Sequence, residues 1–137
     1  MRLSNGDQID LNSLQLQTVL LKLLGPVNEW ESRLQVAKES GYNTVHFTPV
    51  HDLSTESNSS YCIRDNLILN KNASQNGKYS LDDVETVVNN MHKNWNMFSI
   101  CDLVYNHMAN DSEFLKKCPN ATYNMSNTAH LISAFIR

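Results

Sequence analysis

A parallel α/β fold is the class this sequence predicts, on three observations. Short β-branched or apolar stretches alternate with stretches of helical period, the signature of strands joined by helical crossovers. One such stretch, Ile100-Cys101-Asp102-Leu103-Val104-Tyr105-Asn106-His107, runs from apolar residues into a carboxylate, a phenol, an amide and an imidazole. That is the chemistry expected where a strand of a parallel sheet ends and ligands collect. The chain is also an ordinary globular one of 137 residues, 41% hydrophobic and 18% charged.

Residues 1–14 are polar and read as an irregular N-terminal segment. Residues 15–24, Gln-Leu-Gln-Thr-Val-Leu-Leu-Lys-Leu-Leu, fit either a strand or a short helix, which periodicity does not separate. Gly25-Pro26 breaks the chain. Val27, Trp30, Leu34 and Ala37 then fall on one helical face, with Glu29 and Arg33 paired one turn apart. Gly41 supplies the stop. Residues 43–48 read as a strand ended by Pro49. Residues 51–79 are polar and serine-rich and read as one long loop, a functional or disordered segment. Ser80 with Asp83 forms a capping-box pattern opening a second helix, whose stripe is Leu81, Val84, Val87, Val88 and Met91. A strand follows at 97–104. Beyond Met108 a short helix is expected at 112–117, stopped by Pro119.

This order supplies about three strands. Parallel sheets are normally covered on both faces, and unpaired strand edges invite association. The expectation is therefore a piece of a larger barrel.

Composition narrows the function classes. A formal net charge of −3 leaves no basic footprint for nucleic acid. The longest apolar run is interrupted by Lys22 and is too short to span a membrane. No secretory signal opens the chain, so its five Asn-x-Ser/Thr triplets (Asn58, Asn72, Asn110, Asn120 and Asn124) read as products of composition. Cys62, Cys101 and Cys118 form no C-x-x-C pair and read as reduced thiols of a cytoplasmic protein, with Cys101 buried in its strand. His46, His51, His92 and His130 lack partners at zinc spacing, and four glycines make no phosphate loop. No cofactor and no metal is expected. Trp30 and Trp95 read as core.

The pattern D-x-V-x-N-H at Asp102 to His107 resembles the first sequence motif of the α-amylase clan. Three blocks sharpen that resemblance to the eukaryotic glycogen debranching enzymes. They are Gly25-Pro26-Val27-Asn28-Glu29-Trp30-Glu31-Ser32-Arg33-Leu34, continuing to His46-Phe47-Thr48-Pro49; Tyr61 to Asn70; and Asp102 to His107 with Tyr123-Asn124, Asn127 and His130-Leu131. The sequence departs from that pattern at Met108, at Asn120-Ala121-Thr122 and in a serine-rich loop before Tyr61.

The resemblance implies a partial (β/α)8 TIM barrel, with 15–137 as an incomplete glucanotransferase barrel. Its first three strands would lie at about 16–23, 43–48 and 98–104. It implies 4-α-glucanotransferase activity on glycogen and α-1,4-glucan in a parent that also carries amylo-α-1,6-glucosidase. Retaining glycosyl transfer needs two carboxyl groups about 5–5.5 Å apart. The resemblance puts the nucleophile and acid/base after later strands, so no catalytic residue is assigned here and the chain alone is expected to be inactive. Four residues are assigned to substrate: His107, as a donor to a sugar hydroxyl in the cleavage subsite; Tyr61, as a stacking platform; Asp102, as a supporting carboxylate; and Asn106, whose single amide is no calcium site. Tyr105 is read as either site or packing. The alternative function is a truncated, non-catalytic chain that binds glycan or a partner protein.

Overall fold

The structure, a computed structural model, describes residues 2–136. Its strands are β1 (Leu16–Val19), β2 (Thr44–Phe47), β3 (His51–Leu53), β4 (Ile63–Leu69) and β5 (Phe98–Cys101). Its α-helices are α1 (Leu21–Leu24), α2 (Trp30–Glu39), α3 (Lys71–Ser74), α4 (Leu81–Trp95), α5 (Glu113–Lys117) and α6 (Ile132–Phe135). β1, β2 and β5 form a parallel sheet in that order, and β3 pairs antiparallel with β4.

The ambiguous segment 15–24 is both of its alternatives in turn, a strand and then a helical turn. The switch is local. Thr48 Oγ1 accepts from the Leu21 amide at 3.0 Å, turning the chain out of the ladder. Gly25, at φ +77°, ends the turn, and its carbonyl accepts from Trp30 Nε1 at 2.8 Å. A Cβ there would lie 3.2 Å from the Arg33 guanidinium.

α2 buries the expected stripe: Val27, Trp30, Leu34 and Ala37. It ends in a Schellman motif, with the Gly41 amide on the Lys38 carbonyl (3.0 Å) and the Tyr42 amide on the Ala37 carbonyl (3.1 Å). Gly41 takes φ +90°, which its missing Cβ permits. α4 opens with the expected capping box of Ser80 and Asp83 and buries Val87 and Met91, with Leu81, Val84 and Val88 half-buried. α5 is capped by Ser112, whose hydroxyl accepts from the Phe114 amide at 3.3 Å.

Both α2 and α4 pack on the same face of the sheet. Their apolar stripes meet Val45 and Phe47 in one core, where Trp30 stacks on Phe47 with ring centroids 5.9 Å apart. Trp95 is half-buried against the same core. Strand order equal to chain order, with the long helices on one face, is the singly wound arrangement of an α/β barrel wall. A doubly wound sheet reverses its order and covers both faces. The face opposite α2 and α4 is open, and Leu16 and Ile100 remain exposed there. β1 and β5 are both edge strands.

Two expectations are corrected. The stretch 51–79 is not one long loop: it holds the β3–β4 hairpin and α3. The strands escape the hydrophobic pattern because the pairing shifts register twice along β3 and because charge sits inside it. Asp52, almost fully buried, is gripped by Arg64 through Nε (2.8 Å) and Nη2. Cys101 is not buried. It shares Phe47's face but lies on the outer strand of the sheet, where it stays exposed.

Candidate functional site

The site forms where the parallel strands end. The β2–β5 ladder runs one residue past β5, through the Asp102 amide on the Phe47 carbonyl at 3.1 Å. This fixes the Asp102 backbone beside β2. Alternation in β2 turns Val45 and Phe47 to the core and His46 to the open face. In register, His46 lies between Thr18 of β1 and Ile100 of β5. Its Nε2 reaches Asp102 Oδ1 at 2.9 Å, and its Nδ1 lies 3.1 Å from Thr18 Oγ1.

The β3–β4 hairpin carries the next group over the strand ends. Tyr61, just before β4, donates its hydroxyl to Asp102 Oδ2 at 2.8 Å. The loop after β5 is tied to the same place. The Ala109 amide donates to the Ile63 carbonyl at 2.7 Å, and His107 Nε2 lies 3.1 Å from the Tyr61 carbonyl. His107 Nδ1 in turn lies 3.0 Å from Asn106 Oδ1.

All four residues expected at the site are thus joined in one hydrogen-bonded chain: Asn106, His107, Tyr61 and Asp102, continuing to His46 and Thr18. His107 has both ring nitrogens engaged. A carbonyl oxygen only accepts, so Nε2 carries a proton; the neutral ring's Nδ1 is then an acceptor, which the Asn106 carboxamide satisfies by turning its N–H rather than its oxygen to the ring.

Sequence reasoning missed His46 and Thr18. In the sequence His46 stands out only as a histidine without zinc partners and as one residue of the His46-Phe47-Thr48-Pro49 block. The available signal was a histidine on the non-core parity of a strand, two residues before that strand reaches Thr48-Pro49.

Electrostatics follow from these contacts. Donation from His46 first, and from Tyr61 second, holds the Asp102 carboxyl below its ordinary range. The reciprocal effect raises the Tyr61 phenol, chiefly because its proton is held by the Asp102 carboxylate. Asp102 is therefore an ionised, doubly anchored carboxylate, suited to orienting groups or stabilising positive charge and unsuited to giving up a proton. No group of three or more His, Cys, Asp or Glu side chains among the described residues is placed to hold a metal ion. No helix among them is long and apolar enough to cross a membrane.

The comparisons with known proteins agree with this geometry. The α-amylase of Lactobacillus plantarum superimposes with a TM-score of 0.66 at 19% identity, over 83% of this chain and 28% of its own. A maltogenic α-amylase from Thermotoga neapolitana superimposes with a TM-score of 0.70 at 25% identity, over 87% of this chain and 29% of its own. These likenesses bear out the partial barrel. The glycogen debranching enzyme of Saccharomyces cerevisiae is 42% identical over 130 residues, which is 95% of this chain and 8% of that protein's length. The family model of the glycogen debranching enzyme glucanotransferase domain matches residues 7–136. The chain belongs to the glycogen debranching enzyme family, within its glucanotransferase domain.

Proposed function

We propose that this chain is one wall of a 4-α-glucanotransferase barrel and that its Asp102 cluster lines the subsite where an α-1,4-glucan is cut and transferred. The observation that carries the reading is the doubly anchored carboxylate at the carboxyl ends of the strands, in a chain of this family. An oxocarbenium-like transition state develops positive charge on the sugar. A carboxylate whose position and ionisation are fixed beforehand stabilises such charge without reorganising. Tyr61 supplies an aromatic surface to the same sugar, and His107 supplies its Nε2–H when a sugar hydroxyl replaces the Tyr61 carbonyl.

In this reading the reaction needs a nucleophile and an acid/base that the cluster does not provide. Asp102 is its one carboxylate among the described residues, and its low affinity for protons disqualifies it as the acid. The 137-residue chain alone is then inactive, and its parent performs transfer together with release of the α-1,6-linked branch glucose. A cytosolic location belongs to the same reading and is supported by three free thiols.

The test compares two proteins. The chain alone should show no transfer among maltooligosaccharides, whereas a full-length protein containing it should disproportionate maltopentaose. In that protein Asp102→Asn should lower kcat/KM by about 100-fold, the size of losing one fixed transition-state contact. Full activity in the Asn variant would refute the assignment.

A second reading is a chain that acts alone as a binder of glycan or of a partner protein. It is favoured by the two free strand edges and the open sheet face. Immunoblotting for residues 27–49 separates the two. A native band far above 15.6 kDa supports the enzyme, and one near 15.6 kDa supports the binder.

A further inference from the structure

Asp111 lies in the loop between β5 and α5, the loop that also carries Asn106 and His107. The function proposed above gives it no role. That loop is fastened to the second arm of the β3–β4 hairpin at two points. The Ala109 amide donates to the Ile63 carbonyl at 2.7 Å, and His107 Nε2 donates to the Tyr61 carbonyl at 3.1 Å. Asp111 fastens the loop to the first arm. Its Oδ2 accepts from the Thr55 amide at 3.3 Å, just past the end of β3 at Leu53. The Ser54 hydroxyl donates to the same carboxyl. Ser54 Oγ accepts in turn from the Glu56 amide at 3.1 Å, which leaves its own proton for Asp111.

The two arms are themselves joined at this level. The Ser54 amide donates to the Cys62 carbonyl at 2.8 Å and closes the neck of the loop that presents Tyr61. The seam is dry, with Ser54, Ile63, Ala109 and Ser112 all buried. Asp111 enters it at a cost, because its Oδ1 is buried and accepts no hydrogen bond among the described residues. Burial pushes the carboxyl pKa up. Ser54, Thr55 and the nearby Arg64 charge more than reverse this and hold it below the ordinary range. What the charge supplies in return is a grip on two donors at the point where the first arm leaves its strand.

That grip matters most when the site is loaded. A sugar hydroxyl that takes the place of the Tyr61 carbonyl on His107 Nε2 undoes one of the loop's ties. The loop then stays on the hairpin through Ala109 and Asp111. A single hydrogen bond at Ala109 is a pivot, whereas a second tie on the other arm stops rotation about it. We propose that Asp111 is a positioning residue, which latches the β5–α5 loop across both arms of the hairpin and so sets where His107 meets the sugar. The inference rests on the function proposed above, through the part that function gives to His107.

The experiment is a double-mutant cycle in a full-length protein containing this chain, read as kcat/KM for maltopentaose disproportionation. His107→Ala should lower kcat/KM by about 100-fold, as for loss of one fixed contact. Asp111→Ala should lower it by about tenfold, the effect of displacing a contact without removing it. In the His107→Ala background the same Asp111 change should cost less than about twofold, because its effect passes through the imidazole. Equal losses from Asp111→Ala in the two backgrounds, or no loss in either, would overturn the positioning role and leave the proposed function standing. Native activity in His107→Ala would overturn both. If Asp111→Ala lowers the melting temperature, Ser54→Ala replaces it in the cycle, since it takes away one donor and leaves the carboxylate in place. A loss of about threefold that vanishes with His107→Ala is then expected, and the same loss in both backgrounds would overturn the role.

Discussion

Asp102 receives two donors from two different parts of the fold, His46 from the sheet and Tyr61 from the hairpin. Removing the charge should expose this in the pH dependence of stability. The native carboxyl has a lowered pKa, so its contribution is present above its unfolded value of about 3.9 and lost as pH falls through the native value. The gap in melting temperature between the native chain and Asp102→Asn should therefore be full at pH 5–7 and close as pH falls below about 4. Thermal melts from pH 2 to 7 check this, and a constant gap would mean the carboxylate is not anchored as described. Tyr61 has the opposite sign. Its raised phenol pKa stabilises the fold below the ordinary value of about 10, and that stability is lost as pH rises through the higher native value. Tyr61→Phe should abolish that alkaline step. At this scale the site was only partly legible. Asp102, Asn106 and His107 sit in one short motif, so their proximity is covalent. His46 and Thr18 join them only through cross-strand register, which sequence spacing does not encode.

The helices were legible because each states its own period and its own ends. α2 and α4 carry apolar stripes three and four residues apart, a Schellman glycine and a capping box, all set by neighbours in the chain. Ser80→Ala should accordingly cost about 1 kcal/mol in chemical denaturation, the usual value of an N-cap. The hairpin was not legible. Its strands are separated by residues 54–62, their register slips, and the group that holds them is an ion pair facing inward. Arg64→Ala leaves the buried Asp52 carboxylate without its cation and should destabilise by about 3 kcal/mol. A loss below about 1 kcal/mol would assign the hairpin's stability to Ile63 and Leu69 instead. Since Tyr61 and His107 both hang on the start of β4, the same variant should also weaken glucan binding at the site.

For the whole molecule, the open face and two free edges dominate behaviour. Leu16 and Ile100 lie exposed on a sheet whose outer strands have unanswered amides and carbonyls. The isolated chain should associate with increasing concentration, and Ile100→Lys should suppress this, as read by sedimentation. A strictly monomeric chain at high concentration would contradict it. The open sheet was anticipated from counting strands against helices, because two amphipathic helices need more sheet than three strands offer. Its single helical layer was anticipated only through the barrel that the resemblance implies, since nothing in a helix's sequence states which side of a sheet receives it. The matching of spatial order to chain order has a consequence for biosynthesis. Each later strand of the parallel sheet pairs with the sheet strand made before it, β2 with β1 and β5 with β2, while β3 and β4, made in between, pair with each other. At about 5–20 residues per second, β2 emerges only seconds after β1. The wall can grow as it is made, with β2 already laid against β1 when β5 arrives to pair with it.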